Sequence, residues 1–164
     1  MKQTEGPSTA YLDERLLDVE QELAIAPFRR LYAAFVPVLI ALAFFPLLKD
    51  VTDKQADGVV ITYRYGTLWQ MAGRGESGIA DIGIIMFGCL VVLLLLASSS
   101  RVGRATLAAT AGLAILGTIL LFARPGTADP TPGLAPAGSA AIAVLYCIAV
   151  VTIIQASRSR LWQR

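Results

Sequence analysis

The chain has 164 residues, of which 55% are apolar and only 16% charged, and its mean hydropathy of +0.63 lies far from that of a water-soluble globule. Fourteen basic against twelve acidic residues leave a net charge of +2, too small to point to a nucleic-acid partner. No histidine is present, which removes the commonest general base and metal ligand.

The apolar residues are clustered. Four stretches carry no Lys, Arg, Asp or Glu: 31–48, 82–100, 105–123 and 130–157, the last turning apolar near Gly138. Each supplies roughly 18 to 20 residues, which at about 1.5 Å per residue spans the roughly 30 Å of bilayer hydrocarbon. Helices of a soluble bundle keep a polar stripe toward water, and these stretches have none. The expected fold is an all-α membrane protein, a bundle of four transmembrane helices over about 31–48, 79–100, 105–123 and 138–157. A cytoplasmic segment over 1–30, exported loops over 49–78 and 124–137, and a basic tail over 158–164 complete it. Residues 1–30 are polar and acidic, and no small-residue cleavage site marks the first apolar run. That run is therefore expected to stay in the mature protein.

Charge is uneven along the chain. Residues 1–30, 101–104 and 156–164 together hold nine of the fourteen Lys and Arg, including Arg29-Arg30, Arg101 with Arg104, and Arg158 with Arg160. Lys49, Lys54, Arg64, Arg74 and Arg124 fall on the other side among six acids. Basic flanks stay in the cytoplasm, so both termini are expected there. Arginine outnumbers lysine eleven to three, and Ala, Gly and Val abound, the composition of a GC-rich bacterial genome. The expected location is a bacterial cytoplasmic membrane.

At the N-terminal end, Ser8 or Thr9 caps a helix with Asp13 and Glu14 in its first turns. Leu12, Leu16, Val19 and Leu23 follow at spacings of four, three and four, sharing one face over about 9–26. Asp13, Glu14, Asp18, Glu20 and Glu22 lie opposite, and Pro27 is expected to end the helix. An acidic face suits anionic lipid poorly, so the stripe reads as a partner helix, a short coiled-coil seam, or packing on the protein's own loops. In the first span Pro37 is a kink or hinge and Pro46 marks the exit.

The loop over 49–78 has internal order. Asp57-Gly58 reads as a turn. Val59 to Tyr65 is β-branched and aromatic, with Val59, Ile61, Tyr63 and Tyr65 on one face, and Thr67 to Met71 is expected to pair back as a second strand after Gly66. Tyr63, Arg64, Tyr65 and Trp69 are the residue types of interaction hot spots and equally of a membrane-interface belt. A first span, a strand-forming loop with Gly66-Thr67-Leu68-Trp69, and three further spans resemble the claudin-type tetraspan layout. The resemblance covers those four residues and the topology. The claudin loop carries Gly-Leu-Trp followed by a cysteine pair, whereas here Thr67 intervenes and the loop has no cysteine.

The second span opens at Asp81, the one carboxylate near membrane depth, and reads either as an ion-coupling group or as an interfacial acid. In the third, Ala108 and Gly112, and likewise Thr110, Ala114 and Thr118, recur four apart, a spacing that lets helix backbones approach closely. Pro125, Pro130, Pro132 and Pro136 make the second exported connection extended and stiff. In the fourth span Ser139, Ala143 and Cys147 again lie four apart. Cys89 and Cys147 both lie in spans, with no CxxC, and read as small packing residues.

No catalytic, cofactor or metal constellation is expected: His and Cys clusters, nucleophile triads and phosphate loops are all missing. The leading expectation is a non-enzymatic accessory or scaffold subunit that binds other integral membrane proteins, or itself, through the first exported loop, the Leu stripe and small-residue helix faces. A small transporter or channel component using Asp81 is the first alternative. A lipid-modifying enzyme using Arg64, Arg74 and Asp81 is the second.

Overall fold

A chain this apolar must satisfy its backbone polar groups within its own elements. The computed structural model describes residues 8–54, 60–73, 78–99, 102–123 and 132–161, and within them forms helices α1 (Ser8–Ala43), α2 (Leu68–Gly73), α3 (Gly78–Ser99), α4 (Arg104–Ala123) and α5 (Pro136–Leu161). Strands β1 (Val51–Lys54) and β2 (Val60–Tyr63) form one antiparallel sheet, Val51 opposite Tyr63 and Lys54 opposite Val60. Four helical stretches are long and apolar enough to cross a membrane: Glu22–Ala43, Asp81–Ser99, Arg104–Ala123 and Pro136–Arg158.

The four long helices close a ring. α1 packs on α3, α3 on α4, α4 on α5, and α5 returns to α1. Tyr32, Leu94 and Ile148 are fully enclosed at its centre, with Val36, Leu90 and Leu107 around them. The outer faces are equally apolar: Ile85, Val92, Ile119, Phe122, Tyr146 and Ile153 are all exposed. An exposed apolar surface this extensive calls for surroundings as apolar as itself. Two threonine hydroxyls of α4 bond back to their own helix, Thr110 Oγ1 donating to the Thr106 carbonyl at 2.8 Å and Thr118 Oγ1 to the Ala114 carbonyl at 2.9 Å.

Three expectations are corrected. The N-terminal amphipathic helix and the first span are one helix of 36 residues, running through both Pro27 and Pro37. Both prolines are exposed. On an outward face a missing N–H and a displaced carbonyl bend a helix without breaking its packing. The helix also ends at Ala43, short of Leu48. Pro46 disfavours helical geometry at Phe45, and the amides of Phe44 and Phe45 tighten onto the carbonyls of Ala41 and Leu42 at 3.1 Å each.

The third correction concerns the hairpin. β2 pairs with Val51–Lys54, while the segment expected as its partner is helix α2. Thr67 and Gln70 explain the helix. The Gln70 amide donates to Thr67 Oγ1 at 3.3 Å, and the Thr67 amide donates to Gln70 Oε1 at 3.1 Å, a reciprocal capping box. Gly66 enters it with φ +67°, left-handed geometry that a side chain resists. The Asp57-Gly58 turn lies outside the described residues, as do Arg74 and residues 124–131.

The two ends of the ring differ. At the hairpin end, Lys49 N–H donates to the Gly133 carbonyl at 2.8 Å and Ala135 N–H to the Leu47 carbonyl at 3.0 Å, clasping the exit of α1 to the entry of α5. Gly138 makes this approach possible, since a Cβ there would collide with the Leu47 carbonyl. At the opposite end, α1 runs on N-terminal to Arg29 and Arg30 as an arm starting at Ser8.

Candidate functional site

The hairpin end holds an apolar cavity of about 170 Å³, lined by Leu39, Leu42, Met86, Leu113, Leu120 and Leu145, with Leu68 and Met71 of α2 also on its wall. Trp69 packs beside it, its ring 6.0 Å from Phe44 and 5.9 Å, edge-on, from Phe87. α2 is thus held by its cap on one side and by aromatic contacts on the other. The described residues of its wall are all apolar, so the cavity suits an apolar group.

The sequence-derived loop residues are divided among β2, the segment after it and helix α2. Trp69 is turned in part to its own bundle, and the Tyr65 amide donates to Asp50 Oδ1 at 3.0 Å, tying the segment after β2 to the one before β1. Arg64 is exposed, Tyr63 ends β2, and the side chain of Tyr63 lies outside the described residues. Asp81 is exposed in the first turn of α3, where a negative charge complements the helix dipole, and it does not line the cavity. Cys89 and Cys147 are free and exposed on separate helices.

The small residues of α4 divide into two faces. Thr110 and Ala114 are buried, and Thr118 is half-buried with them. Ala108 and Gly112 are exposed, and a Cβ added at Gly112 would meet nothing within 4 Å. The tighter approach in this helix is at Gly117, where a Cβ would come within 3.3 Å of a Leu145 methyl.

The arm carries a stripe of large exposed apolar side chains. Leu16, Val19 and Leu23 are 61%, 53% and 69% exposed. Leu12 shares their register, and its side chain lies outside the described residues. At about 100° per residue, the face carrying Leu16, Val19 and Leu23 points roughly opposite to the face of α1 that buries Phe28, Tyr32, Val36 and Leu39. The stripe therefore does not pack on the protein's own ring.

One polar cluster lies deep in the ring near the arm. Tyr32, fully buried, donates its hydroxyl to Gln155 Oε1 at 2.6 Å, with Thr152 Oγ1 at 3.5 Å. Thr152 in turn donates to the Ile148 carbonyl at 2.6 Å. Beside it the Arg158 guanidinium lies 5.7 Å over the Phe28 ring, a cation–π contact that further joins α1 to α5. Sequence reasoning overlooked this cluster, although Gln155 is the one amide side chain in the four apolar stretches and so the natural candidate for an interhelical bond.

Comparison with known proteins finds no matching family model, no matching curated protein and no matching solved structure. The Gly66–Trp69 string that resembles the claudin loop is here a left-handed glycine followed by a helix cap. The class defined by the fold is a bundle of four helices, each long and apolar enough to cross a membrane, carrying a small sheet at one end and a helical arm at the other.

Proposed function

We propose that this chain is a non-enzymatic, multi-pass membrane protein that associates with other integral membrane proteins, and that the arm of α1 is its docking element. The observation that carries the reading is the exposed stripe of Leu16, Val19 and Leu23 on a helix continuous with the first apolar stretch. Three large apolar side chains held in water are unfavourable by about 1.5–3 kcal/mol each relative to burial, so a partner that covers them gains that free energy. Both ends of the chain lie in the cytoplasm in this reading, since the basic flanks gather at the arm end. The apolar wall of the cavity and the exposed position of Asp81 outside it favour association over ion transport.

The test is purification from native membranes in mild detergent, comparing the wild type with a Leu16→Glu, Leu23→Glu double variant. The expected result is a complex of fixed stoichiometry that the double variant loses while its thermal unfolding is unchanged. Recovery of both proteins as single chains of identical mobility would overturn the reading.

A further inference from the structure

At the base of the arm, the contact between α1 and α5 is rich in hydrogen-bond donors and short of acceptors. Arg29 is half-buried with its Nε enclosed, and among the described residues nothing accepts a hydrogen bond from that nitrogen. Arg158 holds its guanidinium over the Phe28 ring, a contact that uses the flat face and leaves the N–H edge to donate. Gln155 takes the Tyr32 hydroxyl on Oε1, so the NH2 of the same amide still has protons to give.

Helix geometry brings these groups together. Arg29 precedes Tyr32 by three residues and Arg158 follows Gln155 by three, so each arginine stands one turn from a member of the Tyr32–Gln155 bond, on its arm side. Contact between Arg158 and Phe28, the residue before Arg29, sets both arginines at one level of the bundle. That level is the edge of the apolar stretches: 31–48 begins two residues after Arg29, and 130–157 ends one residue before Arg158. In a bilayer, arginines at such positions reach the headgroups.

We infer that Arg29, Arg158 and the Gln155 amide form a binding site for the phosphate of an anionic lipid headgroup. The site lies beyond the docking role of the arm and uses no residue of the Leu stripe. Charge complementarity selects the ligand. α4 and α5 contain no acid, the one acid of α3 is Asp81 at the hairpin end, and the nearest acid along α1, Glu22, lies about 10 Å farther out. A phosphate accepts from guanidinium N–H groups in pairs. An enclosed donor without an acceptor is unfavourable, so a phosphate that draws the Arg29 guanidinium toward itself relieves that penalty. A zwitterionic headgroup carries its own cation beside the phosphate and offers the two arginines less.

Lipid titrations of the full chain in mild detergent test this, with binding read by native mass spectrometry and by thermal unfolding. The probes are phosphatidylglycerol, phosphatidylcholine and inorganic phosphate. Phosphatidylglycerol is expected to remain on the chain at one molecule per copy and to raise the unfolding midpoint, and phosphatidylcholine to do neither. Arg29→Met, which puts a methyl group where Nε stands, and Arg158→Gln are each expected to weaken phosphatidylglycerol binding roughly tenfold or more. Arg30→Met removes the same charge from an exposed neighbour and should leave the affinity nearly unchanged. With phosphatidylcholine alone, Arg29→Met is expected to be at least as stable as the wild type, because its unpaired donor is gone; lower stability in both lipids would make Arg29 a purely structural group and overturn the site. Equal binding of the two lipids, or equal loss in Arg29→Met and Arg30→Met, would overturn it as well. If inorganic phosphate at the same concentration displaces phosphatidylglycerol and raises the midpoint as much, the ligand is a soluble phosphate and the lipid assignment is wrong.

Discussion

Replacing Gly138 by alanine puts a methyl group against the backbone of Leu47, 3.0 Å from its carbonyl carbon and closer still to its oxygen. That oxygen also accepts the Ala135 N–H, so the methyl cannot be accommodated by moving a side chain; the segment 47–49 must shift. The shift strains or breaks two hydrogen bonds of the clasp, Ala135 to Leu47 and Lys49 to Gly133, each worth about 1 kcal/mol net. Overpacking adds about 1–3 kcal/mol, and the better helix propensity of alanine returns about 1 kcal/mol. The net expectation is destabilisation by about 2–4 kcal/mol. Gly112→Ala is the internal control, because nothing lies within 4 Å of the added Cβ and the propensity gain of up to about 1 kcal/mol stands alone. Equilibrium unfolding in mixed micelles, followed by helical circular dichroism, measures both. The reasoning fails if Gly138→Ala is as stable as the wild type, or if Gly112→Ala is destabilised to the same degree.

Tyr32→Phe removes the hydroxyl from Gln155 Oε1 and is expected to cost about 1–2 kcal/mol in the same titration. Most of that cost should return when Gln155→Leu is added, and a double-mutant cycle with no coupling would contradict the bond. Gly66→Ala forces a side chain into left-handed geometry and onto Gln70, costing about 1–2 kcal/mol, so amide exchange over residues 68–73 should quicken; unchanged exchange would refute the capping account. Trp69→Ala forfeits ring contacts with Phe44 and Phe87 worth about 0.5–1.5 kcal/mol each beyond area burial, lowering stability without releasing any bound partner. Loss of the partner with stability intact would instead assign the docking surface to the loop.

Four apolar stretches were legible because a bilayer-length run without charge has few other physical readings, and the helices match them within a few residues at most boundaries. What misled was local chemistry read in isolation. Pro27 looked like a terminator, yet an exposed proline only bends a helix whose inner face is held by Phe28 and Tyr32. Thr67 to Met71 looked like a strand from its Thr, Leu and Trp, whereas the Thr67-x-x-Gln70 spacing signals a capped helix start and was there to be read. The true partner of β2, Val51–Lys54, offered only two β-branched residues beside two charges and so gave little pattern. The arm stripe was visible in its four-three-four spacing, but its exposure depended on how α1 is rotated against the ring, which spacing alone does not define. The clasp at Gly138 joins residues some ninety apart and left no local signal.

The most direct measurement is the mass of the particle released intact from lipid nanodiscs or native membrane, compared with the 17.4 kDa of one chain. A defined multiple or a fixed heteromeric mass, reduced to a single chain by Leu16→Glu with Leu23→Glu, is what the docking role of the arm predicts. A single-chain mass in the wild type, unchanged by those substitutions, would contradict it.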